Sequence, residues 1–182
     1  MKITIISFSG RANGNCQKIA YKVSEEFSNE NVEFYDFSSF YIHPCGACGL
    51  ECFHQGEDCP FLEDQEYAML DSVANSDLSV FVVPNYGNFP CSNFFVFSER
   101  SQCACQAPDE FYEKYQAAKK KFIAVSNTNK ENFVSAFQNH LKNGTSPDIL
   151  FLSARKYHQS SLAGELMDSA DAREDLTKFL LY

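Results

Sequence analysis

The run Leu78-Ser79-Val80-Phe81-Val82-Val83, followed at once by Pro84, constrains the fold more than any other stretch of the chain. Ser79 alone interrupts its apolar character. Such a run reads as a short strand buried on both faces, the pattern of a central strand in a parallel sheet. Four further segments fit the same sheet: Ile-rich Lys2 to Ser7, half-alternating Val32 to Phe37, Phe122 to Val125 and Ile149 to Leu152. Between them the apolar period changes. Ile19, Val23 and Phe27 recur at four-residue steps, which predicts an amphipathic helix from about Asn15 to Phe27. Helical stretches are expected at Ser92 to Arg100 and Pro108 to Ala118. Phe133, Phe137 and Leu141 mark one face of another helix, with Thr128 and Glu131 as its capping box. Ala172, Leu176, Phe179 and Leu180 define a last one. Strands alternating with helices predict an α/β three-layer sandwich with a five-stranded parallel sheet, order 2-1-3-4-5. At 182 residues the chain reads as one domain over 1–182, with a Cys-rich loop inserted at about 41–63.

Charge narrows the partners. The net charge is −9 and the isoelectric point about 4.9, which argues against nucleic acid, because phosphate backbones need clustered cations. The one basic run, Lys119-Lys120-Lys121, reads as a solvated helix end. The apolar start, Met1 to Phe8, is too short for a signal peptide, and no stretch reaches membrane-spanning length. A cytoplasmic protein without membrane contact is expected, so the eight Cys point to metal, cluster or redox chemistry before disulfides.

The first loop, Ser9-Gly10-Arg11-Ala12-Asn13-Gly14-Asn15-Cys16, lies where the first strand hands over to a helix. Open α/β sheets bind anions at that place. Gly10 and Gly14 would let backbone N–H groups converge; Ser9 and Asn15 would add neutral donors, and Arg11 charge. An ordinary turn with an Asn cap is the alternative reading of that position. The spacing is neither a Walker A loop nor Gly-x-Gly-x-x-Gly. The turn Pro84-Asn85-Tyr86-Gly87-Asn88-Phe89-Pro90 ends the central strand. Gly87 there would permit close approach of a flat ligand, Tyr86 could stack on it, and Asn85 or Asn88 could hydrogen-bond its edge. Ser126 and Asn127 border the same crevice.

Together these stretches resemble the NADPH-dependent FMN reductase family of flavodoxin-like proteins. Ser9 to Cys16 is similar to that family's Ser-x-Arg-x-x-Gly-Asn-Thr/Ser loop, which grips the FMN phosphate; Cys16 stands where the family has a hydroxyl. Pro84 to Pro90 resembles its Pro-x-Tyr-x-Gly-x-x-Pro turn against the isoalloxazine ring, with one residue fewer between Tyr86 and Gly87. Phe97-Ser98-Glu99-Arg100 resembles the Phe-x-Asp-Arg that follows. The resemblance implies FMN held by Ser9, Arg11, Asn13, Gly14, Asn15, Cys16, Pro84, Asn85, Tyr86, Gly87 and Asn88, NAD(P)H as cosubstrate, and a homodimer or homotetramer.

Four cysteines, Cys45, Cys48, Cys52 and Cys59, fall within fifteen residues, the last followed by Pro60. Compact Cys runs closed by Cys-Pro suit a four-iron cluster better than tetrahedral zinc, which favours two short hooks. The loop is similar to that of the iron–sulfur flavoprotein branch, implying a [4Fe-4S] cluster; reduced thiols, a redox-active pair or zinc are the alternatives. Cys91, Cys103 and Cys105 read as bystanders, and the four His show no metal spacing. The expected activity moves electrons from NAD(P)H or a protein donor through FMN to a quinone, small oxidant or cluster. No catalytic acid or base is evident. The rivals are a non-enzymatic electron carrier and a thiol redox sensor. A cysteine-dependent phosphatase needs Arg six positions after a Cys, and none of the eight has one.

Overall fold

The computed structural model describes residues 1–46, 48–54, 58–101, 109–127 and 130–182. Five parallel strands form the sheet: β1 (Lys2–Ser7), β2 (Asn31–Asp36), β3 (Leu78–Tyr86), β5 (Lys120–Val125) and β6 (Asp148–Leu152). Their order is β2-β1-β3-β5-β6, with a two-residue strand β4 (Phe89–Pro90) folded back antiparallel on β3. With β4 set apart, this is the expected 2-1-3-4-5 order. The helices are α1 (Asn15–Glu26), α2 (Gln65–Ala74), α3 (Ser92–Arg100), α4 (Asp109–Ala117), α5 (Glu131–Gln138) and α6 (Ala170–Leu181).

Alternation along each strand feeds two cores. Val80 and Val82 of β3 pack with Ile3, Ile5, Ile123 and the inner faces of α1 and α6. Phe81 and Val83 point the other way, into an aromatic core with Phe8, Phe94, Phe97, Phe122, Phe133 and Phe137. Phe8 alone meets four other rings at centroid distances of 5.2–5.5 Å. Among the described residues no helix is long and apolar enough to cross a membrane.

Four expectations need correcting. Pro84 does not end the central strand: β3 runs through it to Tyr86, because the missing N–H falls at the last register position, opposite Val125. Lys120 and Lys121 are not a solvated helix end. They belong to β5 and are 4% and 1% exposed, respectively. Their aliphatic stems are buried while the ammonium groups find partners. Lys120 Nζ donates to the carbonyls of Tyr115 and Ala118 and sits over the Tyr115 ring. Lys121 Nζ pairs with Asp148 at 2.9 Å and donates to the Phe179 carbonyl. The Cys-rich loop is followed by helix α2, unrecognised in the sequence; Asp64 caps it by accepting from the Glu66 N–H, and Met69, Leu70 and Val73 bury its inner face. Helix α5 has Lys130 as its N-cap, without a side-chain capping bond. Thr128, Pro108, Cys103 and Cys105 lie outside the described residues.

Candidate functional site

A cleft of about 370 Å³ opens at the carboxyl edge of the sheet, within the range of small-molecule sites. Its walls combine the first loop (Ser9, Arg11, Gly14, Asn15, Cys16) with the β3–β4 hairpin (Pro84, Asn85, Tyr86, Gly87, Asn88). Two separate sequence stretches therefore face one cavity. Asn13 is the one expected residue absent from its wall. Ser126 and Asn127 border it, as expected. Leu152, Ala154, Ser161 and Leu162 also line it, and sequence reasoning missed them. The signal available was topological: the segment after β6 leaves the same edge of the sheet.

At the first loop, β1 delivers Ser9 into the interior and α1 begins at Asn15. The cap residue Gly14 supplies no side-chain acceptor. The first-turn N–H groups of Asn15, Cys16 and Gln17 therefore present uncompensated donors and the positive helix end to the cleft. The tight turn is made by Asn13, whose φ is +58°, and not by Gly10 or Gly14 as expected. Gly14 serves through size: a Cβ there would lie 3.3 Å from the Arg11 carbonyl oxygen and 3.6 Å from the Arg11 stem. Asn13 is held from the other side, its N–H donating to Gln17 Oε1 at 2.6 Å, while Gln17 Nε2 reaches Asp36 and Ser38. Ser9 Oγ accepts from the Arg11 N–H at 3.2 Å, leaving the hydroxyl proton to donate. Asn15 does not add the neutral donor expected of it. Its amide nitrogen is engaged by the Ser160 and Ser161 carbonyls, and its oxygen accepts from the Leu166 N–H at 2.9 Å. Cys16 is buried, and burial pushes its thiol well above the usual range, with Cys91 and Asp36 adding to the shift. It contributes a backbone N–H and a neutral wall. Helix-end donors, one hydroxyl and one guanidinium make a set that fits a phosphate.

The hairpin wall is tied by several hydrogen bonds. Gly87 and Asn88 have φ of +63° and +73°, the two left-handed positions of a type I′ turn between Tyr86 and Phe89. Asn85 holds this turn in place: its Oδ1 accepts from the Asn88 N–H at 2.9 Å and its Nδ2 donates to Ser126 Oγ at 2.7 Å. Asn132 on α5 donates to the Asn88 carbonyl. Tyr86 stands 56% exposed at the tip, an aromatic face presented to whatever enters.

The structure does not confirm the [4Fe-4S] cluster expected at Cys45, Cys48, Cys52 and Cys59, although the other three thiols lie close enough to act on Cys52 electrostatically. Among the described residues no group of three or more His, Cys, Asp or Glu side chains is disposed to hold a metal ion. Arg100 explains the arrangement. Its guanidinium, 3% exposed, pairs with Asp64 at 2.7 Å, donates to the carbonyls of His43 and Phe61, and lies 3.8 Å from Cys59 Sγ. Cys59 is thereby drawn into the interior, while Cys45, Cys48 and Cys52 stay half-buried on the turns around Gly46 and Leu50. Burial raises the Cys52 thiol, and the neighbouring Cys59, Cys45 and Cys48 raise it further. Burial alone would raise the Asp64 carboxyl, but the bonds from Arg100, His43 and Glu66 outweigh it and hold it low.

Comparison with known proteins follows the same lines. The family model described as NADPH-dependent FMN reductase matches residues 1–146. A sequence comparison with the curated proteins returns no match. Among solved structures, the Trp repressor binding protein from Bacillus subtilis is similar at 15% identity, with 98% of this chain and 97% of that one covered and a TM-score of 0.65. Azoreductase AzrA is similar at 12% identity, with 99% of each chain covered and a TM-score of 0.55. The NADH:FMN oxidoreductase EMOB, in its apo form, is similar at 12% identity, with 98% of this chain and 88% of that one covered and a TM-score of 0.54. At such identities these structures support the fold, flavodoxin-like α/β, and the family model supplies the chemistry. The chain belongs to the NADPH-dependent FMN reductase family and is an NAD(P)H-dependent flavin oxidoreductase.

Proposed function

We propose that the cleft binds FMN with its phosphate at the first turn of α1 and its ring against the β3–β4 hairpin, and that the acceptor is a quinone or similar small oxidant. The observation that carries this reading is a single cavity walled by both the uncapped helix end and the Gly87 hairpin. Bound there, FMN would supply the hydride and electron transfer. The chain's own residues do the rest. Backbone N–H groups of Asn15, Cys16 and Gln17, the Ser9 hydroxyl and the Arg11 guanidinium neutralise the phosphate. Asn85, fixed by Ser126 and Asn88, keeps the hairpin backbone at one distance from the ring. Tyr86 offers a stacking face, and the neutral Cys16 adds no charge to the wall. Tyr86 and Phe89, 56% and 51% exposed at the hairpin tip, support assembly as a homodimer or homotetramer that shields the ring. No step is assigned to the Cys loop.

The test is direct. The purified chain, titrated with FMN, is expected to bind it and then oxidise NADH or NADPH when a quinone is added. The double variant Ser9→Ala, Arg11→Ala is expected to weaken FMN by roughly ten- to a hundredfold, the range of one or two charge-assisted hydrogen bonds. A wild-type chain that takes up no FMN sinks the reading, and unchanged affinity in the double variant removes the loop from it.

A further inference from the structure

The segment from Ser160 to Leu166 lies beyond the residues matched by the family model, yet it packs on the phosphate loop and lends Ser161 and Leu162 to the cleft. Three sets of contacts join the two. Arg11 Nη2 donates to the Leu162 carbonyl. Asn15 donates to the carbonyls of Ser160 at 3.4 Å and Ser161 at 3.3 Å, and accepts from the Leu166 N–H at 2.9 Å. Gly164, with φ +75°, passes so close beneath the loop that a Cβ on it would fall 2.5 Å from the Asn13 carbonyl oxygen. Cβ atoms do not approach backbone oxygen that closely, and the left-handed φ adds strain for any side chain. Glycine is therefore required where the strap crosses the loop.

These contacts bear on the groups that face a phosphate. Asn13 makes the left-handed turn just before the cap residue Gly14, so clamping its carbonyl fixes the direction of the N–H groups that follow. The Arg11 stem lies along Gly14 at the helix end, and the Leu162 carbonyl anchors the far end of its guanidinium. A guanidinium carries five N–H donors in a rigid plane. One carbonyl cannot take up all of them, and Arg11 lines the cleft, so the others remain to donate there. The turn that presents this carbonyl is shaped by Ser160, whose Oγ accepts from the N–H groups of Leu162 at 3.2 Å and Ala163 at 3.0 Å.

We propose that the Ser160–Leu166 strap, through Gly164 and the Ser160-shaped turn, is a positioning element that makes the site select a phosphorylated flavin over the same flavin without its phosphate. The inference rests on the reading of the cleft as a flavin site. Among the described residues the strap's hydrogen bonds run to the first loop and α1, not to the hairpin, so its effect falls on the phosphate end of the ligand.

The experiment measures the dissociation constants of FMN and riboflavin, by flavin fluorescence, for the full chain and for Gly164→Ala and Ser160→Ala. The wild-type chain is expected to prefer FMN. Both variants are expected to lose about tenfold or more in FMN affinity, the worth of one charge-assisted contact, with riboflavin affinity unchanged. Ser160 is exposed, so its truncation keeps the test open even where Gly164→Ala does not fold. Equal weakening of both ligands, or an unaltered preference in the folded variants, overturns the inference. So does a wild-type chain that binds the two flavins equally, which leaves the flavin reading standing. A wild-type chain that binds neither removes that reading and the inference with it.

Discussion

Acid should unfold this protein through His140 sooner than through its carboxylates. The imidazole is 1% exposed. Its Nε2 pairs with Ser98 Oγ at 2.9 Å and its Nδ1 with the Tyr115 hydroxyl at 2.8 Å, while Phe97 stacks at 5.7 Å. Burial, with Lys120 adding repulsion, pushes its pKa from 6.5 down to about 3. The unfolded chain therefore binds a proton that the folded chain refuses throughout that interval. His140 contributes fully above pH 6.5, and its contribution is lost progressively as pH falls towards about 3. One pH unit inside the window is worth about 1.4 kcal/mol, so the loss between pH 7 and pH 5 is about 2 kcal/mol. Glu66 acts oppositely in the same interval: burial raises its carboxyl well above the ordinary range, so folding takes up a proton there. A single pH series would mix the two. Urea unfolding of the wild type and of His140→Gln at pH 7 and pH 5 separates them, because Glu66 is common to both chains. The variant is expected to lose about 2 kcal/mol less than the wild type on going to pH 5. It starts from a lower stability at pH 7, by about 1–3 kcal/mol, because the Ser98 and Tyr115 hydroxyls lose an exact partner. Equal acid losses in the two chains would refute the argument.

Three further outcomes follow from single contacts. Gly87→Ala should cost about 1–2 kcal/mol in a denaturant melt, all of it backbone strain at φ +63°, since no atom lies within 4 Å of the new Cβ; a loss twice that size would mean the hairpin packs differently. Arg100→Gln should cost about 3–5 kcal/mol, because the buried Asp64 carboxylate keeps its N–H partners but loses its counter-charge. The same change should speed the reaction of Cys59 with a thiol reagent, and an unchanged rate would show that Arg100 does not tie the loop down. Phe81→Ala should cost about 3–5 kcal/mol by urea unfolding, given its edge-on contacts with Phe8, Phe97 and Phe122; a loss under about 1 kcal/mol would show a core that collapses around the gap.

The sheet was legible because its strands carry their burial on their faces. Val80 and Val82 go to one core and Phe81 and Val83 to the other, so a two-sided apolar run is the direct imprint of a central strand. The misread lysines show where such reading fails. Lys120 and Lys121 look solvated by type, but a long stem with a small charged tip can cross the sheet's edge and find carbonyls and rings, and sequence does not show those partners. Burial holds the Lys120 pKa down to about 7, which marks how deep a residue of that type has gone. Helix α2 is hidden in the sequence for a related reason: it follows the cysteine run directly, and its start is marked by one capping aspartate, Asp64, whose carboxylate also answers Arg100 from far along the chain.

The candidate site was half legible, and the missing half has one cause. Loop residues were assigned roles from what their side chains can do, yet a donor near a ligand is available only if nothing else has taken it. Asn15 has the right chemistry for a phosphate, and its amide is engaged by carbonyls 145 and 146 residues away in sequence. Arg11 is likewise held by Leu162, and Asn13, read as a contact residue, instead supplies the left-handed turn that points the helix end. What remains for the ligand is the backbone N–H groups that Gly14 leaves uncapped, with the Ser9 hydroxyl and the rest of the Arg11 guanidinium beside them. Those N–H groups belong to no residue type, which explains how Cys16 can stand where relatives of this family carry a hydroxyl. The side chain at that position forms wall, and the N–H beneath it is the same for every residue except proline. On the proposed reading, selectivity for the phosphate depends on how firmly the strap after β6 holds the first loop's shape as well as on that loop's own letters.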